Sequence, residues 1–177
     1  MDFPHEPVLV PEVIGSLVTD PESVYVDGTV GSGGHSEAIA GEIADQGRLI
    51  CLDRDPDAIE LSRKRLASLG DRVILVKSNY SELPEVLARL GIQTVSGILL
   101  DLGMSTYQLD HSGRGFSFNR DEPLDMRMDT EEAVDAAGLV EALSQRELEK
   151  ILRNYGEERR AKAIARAIVR ERKKKAS

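Results

Sequence analysis

The chain holds one cysteine, Cys51, no tryptophan, and only 3 Phe and 4 Tyr among its 177 residues. A lone cysteine excludes an internal disulfide framework, and no Cys/His cluster stands at zinc spacing, so a thiolate metal site is excluded too. A reducing cytoplasm is the expected compartment. No apolar run approaches the ~18 residues of a membrane span, and MDFPHEPVLV lacks the basic stretch and apolar core of a secretion signal. What is present, 41% hydrophobic and 31% charged residues, suits one globular domain and the beginning of a second.

Charge is unevenly distributed. Residues 1–145 carry 11 Lys+Arg against 26 Asp+Glu, whereas residues 146–177 carry 12 against 5. An acidic body therefore bears a basic tail, which is either a solvated helix face or a surface for phosphate backbones.

Short apolar runs alternate with helical patterns, the signature of a parallel α/β sheet. The expected strands are Val24–Asp27, Leu49–Asp53, Val73–Lys77 and Val95–Asp101. An apolar run ending in Asp delivers a carboxylate at the strand's carboxyl end, where open α/β sheets bind ligands. Helices are expected over Leu9–Val18, His35–Ala44, Pro56–Leu69 with Asp55 as N-cap, and Ser81–Leu90 opened by Ser81. Residues 102–130 read as a long functional loop. Helices follow without further strands: Ser144 and Glu147 form a capping box for one ending near Tyr155, and a second carries Ala161, Ile164, Ala165, Ile168 and Val169 on one face with Arg160, Arg166, Arg170 and Arg172 around it.

The strongest local signal is Asp27-Gly28-Thr29-Val30-Gly31-Ser32-Gly33-Gly34-His35, a strand–loop–helix junction where glycines let a ligand approach backbone N–H groups. The dinucleotide fingerprint fails, because Ser36 stands where its third glycine belongs, and the phosphate-loop Lys-Ser/Thr pair is missing. An acid at Asp27 suits a cofactor bearing an amino group and a sulfonium, namely S-adenosylmethionine, although such glycines also serve simple tight packing. Asp53 can accept both ribose hydroxyls of an adenosine. Asp55 is more economically a helix cap. Tyr80 either stacks on a base or packs ahead of a helix. Asp101 projects from the fourth strand beside the first, where a reaction centre belongs.

HEPVLVPEVI, DGTVGSGGHS, LDRDPDAI, DLGMSTYQLD, RGFSF and PLDMRMD, taken in order, resemble the bacterial small-subunit rRNA (cytosine-N4) methyltransferase family known as RsmH or MraW. The resemblance implies a Rossmann-like α/β methyltransferase sheet followed by part of a helical substrate-binding domain, with S-adenosylmethionine as cofactor and a cytidine of the 16S rRNA decoding region as substrate. Carried over by position, Gly33, Gly34 and His35 match the cofactor loop, Asp53 the ribose acid, Tyr80 a position usually Phe, and Asp101 and Gln108 the remaining cofactor contacts. The family usually reads DLGVSSPQLD, so Met104, Thr106 and Tyr107 depart from its pattern. Asp101 is the expected catalytic group, accepting hydrogen bonds from the target amine, and Arg153, Arg159, Arg160, Arg166 and Arg170 are expected to contact RNA.

The implied division is a partial cofactor domain over 1–105, an active-site loop over 106–130 and a partial helical RNA-binding domain over 131–177. Sheets of this type have seven strands in the order 3-2-1-4-5-7-6, of which four are legible, so the chain is expected to be C-terminally truncated. The fourth strand would then present an apolar edge that invites oligomerisation. Two classes of function follow: an rRNA methyltransferase, or a truncated, catalytically inactive fragment that binds cofactor or RNA. A small-molecule or NAD-linked Rossmann enzyme is disfavoured by Ser36 and the later motifs.

Overall fold

The structure, a computed structural model, describes residues 7–175. The start of the HEPVLVPEVI motif, His5 and Glu6, lies outside the described residues. Four parallel strands, β1 (Val24–Asp27), β2 (Arg48–Asp53), β3 (Val73–Lys77) and β4 (Gly97–Leu99), form one sheet in the order β3-β2-β1-β4. The chain winds outward from β1 to β3, then returns to the other side of β1. That reversal opens a crevice beyond the carboxyl ends of β1 and β4.

Strand alternation divides the sheet into two apolar faces. Tyr25, Leu49, Cys51, Val73 and Leu75 point toward α1 (Val10–Leu17), α2 (Gly34–Glu42) and α3 (Pro56–Arg65), packing on Ile14, Leu17, Ile39 and Ile59. Val26, Ile50, Leu52, Ile74 and Val76 point the other way, onto Val86 and Leu87 of α4 (Leu83–Arg89). Each fully buried Ile or Leu here contributes roughly 1.5–3 kcal/mol relative to exposure. The second face is less completely covered: Ile98 of β4, beside Val26 in the register, remains 47% exposed.

β1 and β3 match the expected strands, and β2 begins one residue early. The expected strand Val95–Asp101 is corrected to three residues. Its ladder stops because Gly28 N–H donates to Leu99 O (2.9 Å) as β1 turns into the glycine loop, after which Asp101 N–H finds the Thr29 hydroxyl instead of a strand (2.7 Å). Asp101 therefore sits on a loop two residues past β4. α3 also ends early, at Arg65, and a 3-10 segment, Ala67–Arg72, completes the connection through Gly70 at φ +59°. Ser81 does not open the next helix: Asn79 accepts Ser81 N–H (3.0 Å), capping a 3-10 turn, Tyr80–Glu82, that leads into α4.

The long loop contains one short helix, α5 (Thr106–Asp110), started by a capping box in which Ser105 and Gln108 exchange hydrogen bonds. α6 (Ala136–Ala142), α7 (Gln145–Asn154) and α8 (Ala161–Lys175) follow, with the expected Ser144–Glu147 capping box at the start of α7. Ala161 and Ala165 are buried on the apolar side of α8. Arg172 joins α8 to α6, donating to the carbonyls of Val140 (2.8 Å) and Leu143 (2.7 Å) at the helix's carboxyl end. Among the described residues no helix is long and apolar enough to cross a membrane.

Candidate active site

A cavity of about 530 Å³ opens at the carboxyl ends of the strands, within the ~300–1,000 Å³ typical of small-molecule sites. Its floor is the loop after β1, with Gly28, Thr29, Gly31, Ser32, Gly34 and His35. On the β2–β3 side stand Asp53, Arg54, Asn79, Tyr80 and Met128, and on the β4 side Asp101 to Ser105, with Gln108 also in the lining. The sheet order itself places Asp53 and Asp101 on opposite sides of the glycine loop.

Asp53 is held at the end of β2 by two backbone donors, Gly31 N–H to Oδ2 and Asp55 N–H to Oδ1, both at 3.0 Å. Burial pushes its carboxyl above the usual range, against the pull of those hydrogen bonds. Tyr80 stands at the cavity with 45% of its surface exposed. His35 is buried at the start of α2, where Nε2–H donates to Val8 O (2.7 Å) and Nδ1 lies 3.8 Å from Asp101 Oδ2. The Asp101 side chain is 46% exposed.

Three expected residues stand differently from the sequence argument. Gly33, in the left-handed region at φ +85°, is the N-cap of α2, and a Cβ there would touch Ser62, Arg65 and Leu66 of the α3 side. It is absent from the cavity lining, unlike Gly34. Gln108 lines the cavity, yet its amide oxygen accepts Ser105 N–H (3.0 Å) and its amide nitrogen donates to Asp55 Oδ2 (2.8 Å). Asp27 is absent from the cavity lining. Alternation along β1 turns it the same way as Tyr25, under α2, where it is 1% exposed and accepts from Ser36 Oγ (2.6 Å) and Thr29 N–H (3.1 Å). Burial raises its pKa, with the Ser36 hydrogen bond opposing. Ser36 thus has a packing task where a dinucleotide fingerprint would carry glycine.

Other contributors escaped the sequence argument. Thr29 anchors the start of the Asp101 loop through its hydroxyl. Asp55 caps α3, as expected, by accepting Asp57 N–H (3.0 Å), and is also the buried partner of Gln108 and of Arg114 Nη2 (2.7 Å). Arg114, 5% exposed, donates through Nη1 to the carbonyls of Arg127 and Met128, both at 2.9 Å, and its guanidinium lies 5.6 Å from the Phe116 ring centre. The one available signal was the RGFSF motif, which carries no spacing rule that would aim its arginine at Asp55. The Ser105–Gln108 box was legible as S-x-x-Q and was overlooked inside a glycine-rich stretch.

Arg153, Arg159, Arg160, Arg166 and Arg170 are all exposed, on α7, α8 and the turn between them. Arg153 pairs with Glu149 (2.7 Å) and Arg170 with Glu171 (3.1 Å), contacts that solvent-exposed groups exchange readily.

A parallel sheet wound both ways from β1, with a glycine-floored cavity at its switch point, defines a Rossmann-like α/β protein. The sequence profile of the MraW methylase family matches residues 2–177, and the chain belongs to that family. It is 50% identical over 175 residues to ribosomal RNA small subunit methyltransferase H 2 of Agathobacter rectalis, covering 98% of this chain and 56% of that protein. It is likewise 50% identical over 173 residues to ribosomal RNA small subunit methyltransferase H of Heliobacterium modesticaldum, covering 97% of this chain and 55% of that protein. The chain therefore spans about half the length of the curated relatives it matches. Among solved structures, an rRNA methylase from Streptococcus thermophilus shares 21% identity and a TM-score of 0.44 over 58% of each chain.

Proposed function

We propose that the chain binds S-adenosylmethionine in this cavity and transfers its methyl group to the exocyclic N4 of a cytidine in the decoding region of 16S rRNA. The observation that carries this reading is the pair of acids, Asp53 and Asp101, flanking one glycine-floored cavity. The residues present fit the cofactor. Asp53 accepts backbone donors on both oxygens and stays at the cavity wall for ribose hydroxyls, Tyr80 offers a ring face, and Gly31 and Gly34 keep the floor at backbone height. A Cβ at Gly34 would meet Pro7, another residue of the cavity lining, at 3.0 Å.

When bound, the cofactor supplies an electrophilic methyl on a sulfonium. The protein's task is alignment, because the cytosine amine is a weak nucleophile whose lone pair is delocalised into the ring. Asp101, half-exposed on its loop, accepts hydrogen bonds from the amine of an unstacked base and orients it. Thr29 holds Asp101's backbone, and the Ser105–Gln108 box holds the loop's far end. The exposed arginines of α7 and α8 contact RNA phosphates. In this reading residues 1–105 form the cofactor part, 106–130 the active-site loop and 131–177 the start of an RNA-binding part, and the setting is the cytoplasm.

Tritium methyl transfer from S-adenosylmethionine to unmodified small ribosomal subunits tests the reading, with Asp101→Ala as its control. Transfer by the wild type, reduced in turnover at saturating cofactor in the variant, is expected. Wild-type turnover by Asp101→Ala would confine Asp101 to holding the cofactor. A second reading, a fragment that binds cofactor or RNA without catalysis, is favoured by the unpaired outer edge of β4 and the half-length match to relatives. Binding without transfer in the same assay would select it. That open edge also supports self-association of the chain through β4.

A further inference from the structure

The PLDMRMD segment has no part in the chemistry derived so far, yet it reaches the cavity at one residue, Met128. Two cations hold that residue from either side. Arg114 Nη1 donates to the carbonyl of Met128 itself (2.9 Å), while Nη2 of the same guanidinium pairs with Asp55 (2.7 Å) and Asp57 (3.3 Å) at the start of α3. Lys77, the last residue of β3, pairs with Asp129 (2.9 Å), the next residue along, and with Glu131. The anchor points lie just after β2 and at the end of β3. This is the side of the cavity that holds Asp53, Asn79 and Tyr80, and it lies away from Asp101 past β4. Arg127, between Met126 and Met128, is itself tied back by Asp125 (2.6 Å) and by the carbonyl of Glu132 (2.6 Å), so the segment has little freedom to swing away.

We infer that Met128 is a nucleoside-binding residue: the Arg114 and Lys77 anchors press its side chain against the nucleoside end of the cavity, where it forms the apolar wall facing adenosine. The inference rests on the cofactor reading above. Methionine suits the place because its unbranched thioether adapts to a flat ring and adds sulfur–aromatic contact. Lys77 is outside the cavity lining, so it acts only through the segment it holds.

The test is calorimetry of the wild-type chain, Met128→Ala, Met128→Leu, Lys77→Met and Lys77→Arg with two ligands, S-adenosylmethionine and 5′-methylthioadenosine, the latter lacking the amino-acid end. Met128→Ala is expected to weaken both ligands by a similar factor, roughly tenfold for loss of one apolar wall, while Met128→Leu stays near wild type. Lys77→Met is expected to weaken both in the same proportion and Lys77→Arg to restore them. Met128 is partly exposed, so truncation leaves the fold intact, and thermal melting verifies this. Wild-type affinity of Met128→Ala for both ligands overturns the inference, as does weakening of S-adenosylmethionine alone, which would put Met128 at the amino-acid end. Failure of the wild-type chain to bind either ligand overturns the cofactor reading, and this inference with it.

Discussion

In the proposed reading Asp53 binds a ribose through its ionised form, because a carboxylate accepts hydroxyl donors that a neutral acid would meet with its own proton. Burial has raised its pKa in the folded chain. Cofactor affinity is therefore full above that raised value and falls as pH drops through it, so the decline starts at milder acidity than the ~3.9 of a free aspartate would give. Calorimetry over about pH 4 to 7 should show it. Asp53→Asn, similar in shape, should weaken binding at least tenfold and flatten the profile, since hydrogen bonds to an ionised group contribute about 1.5–3 kcal/mol. An acid fall that survives in Asp53→Asn would belong to another group. Asp53 was legible as a ligand residue from its place after an apolar run. Asp27, with the same credentials, was not separable from it by sequence: both end strands and point to the same face, and only the register, which sets Asp27 beside Cys51 and leaves Asp53 two residues farther along β2, buries one and presents the other.

At the scale of elements, the loop between β4 and α6 is shaped by local chemistry that a linear pattern scarcely shows. Gly115 sits at φ +75°, and a Cβ there would lie 2.3 Å from the carbonyl oxygen of Pro123, a backbone atom that cannot swing aside. Gly113 has a similar φ of +67° with open space around it. Gly113→Ala should thus cost only the left-handed backbone penalty, about 1–2 kcal/mol. Gly115→Ala adds a steric clash and should lower Tm several degrees further, at roughly 2–4 °C per kcal/mol for a chain of this size. Equal melting temperatures for the two variants would mean that the loop relaxes freely. The helices around this loop were easier to read. Asp55 with Pro56, and Ser144 with Glu147, are local signals whose partners lie within three residues, and both caps form as the sequence indicates. The β4 boundary was misjudged because the apolar run Ile98–Leu100 says nothing of where its neighbour β1 turns away.

Among the described residues the sheet has two edge strands, β3 and β4, and β4 is the one with an exposed large apolar side chain. Among the same residues β4 pairs only with β1, its Ile98 is 47% exposed, and Leu100 and Leu102 beyond it are 44% and 66% exposed. Sedimentation at high protein concentration should therefore show self-association, and Ile98→Lys should shift the chain toward monomer; a monodisperse wild-type monomer would refute the edge as a pairing surface. The basic α7–α8 region predicts a different dependence. RNA affinity should fall steeply with salt, and each neutralised arginine among Arg153, Arg159, Arg160, Arg166 and Arg170 that contacts phosphate should reduce the slope. A salt-independent affinity would remove these residues from the interface.

By itself the sequence determined the family, the order of strands along the chain, the Asp55 and Ser144 helix caps and the acid that ends β2. All of these are written in neighbouring residues: apolar runs of strand length, a cap three positions before its partner, glycines at a turn. Which residues meet across the chain was decided only by tertiary structure. Asp55 finds Arg114 59 positions away, and Thr29 takes the backbone of Asp101 72 positions away. Lys77 reaches Glu131, 54 positions on. Such charges and hydroxyls carry no periodicity. Their pairing follows from a sheet order that returns to β1 and lays the 102–130 loop across the strand ends, where burial leaves each polar group to find a partner or lose its hydration.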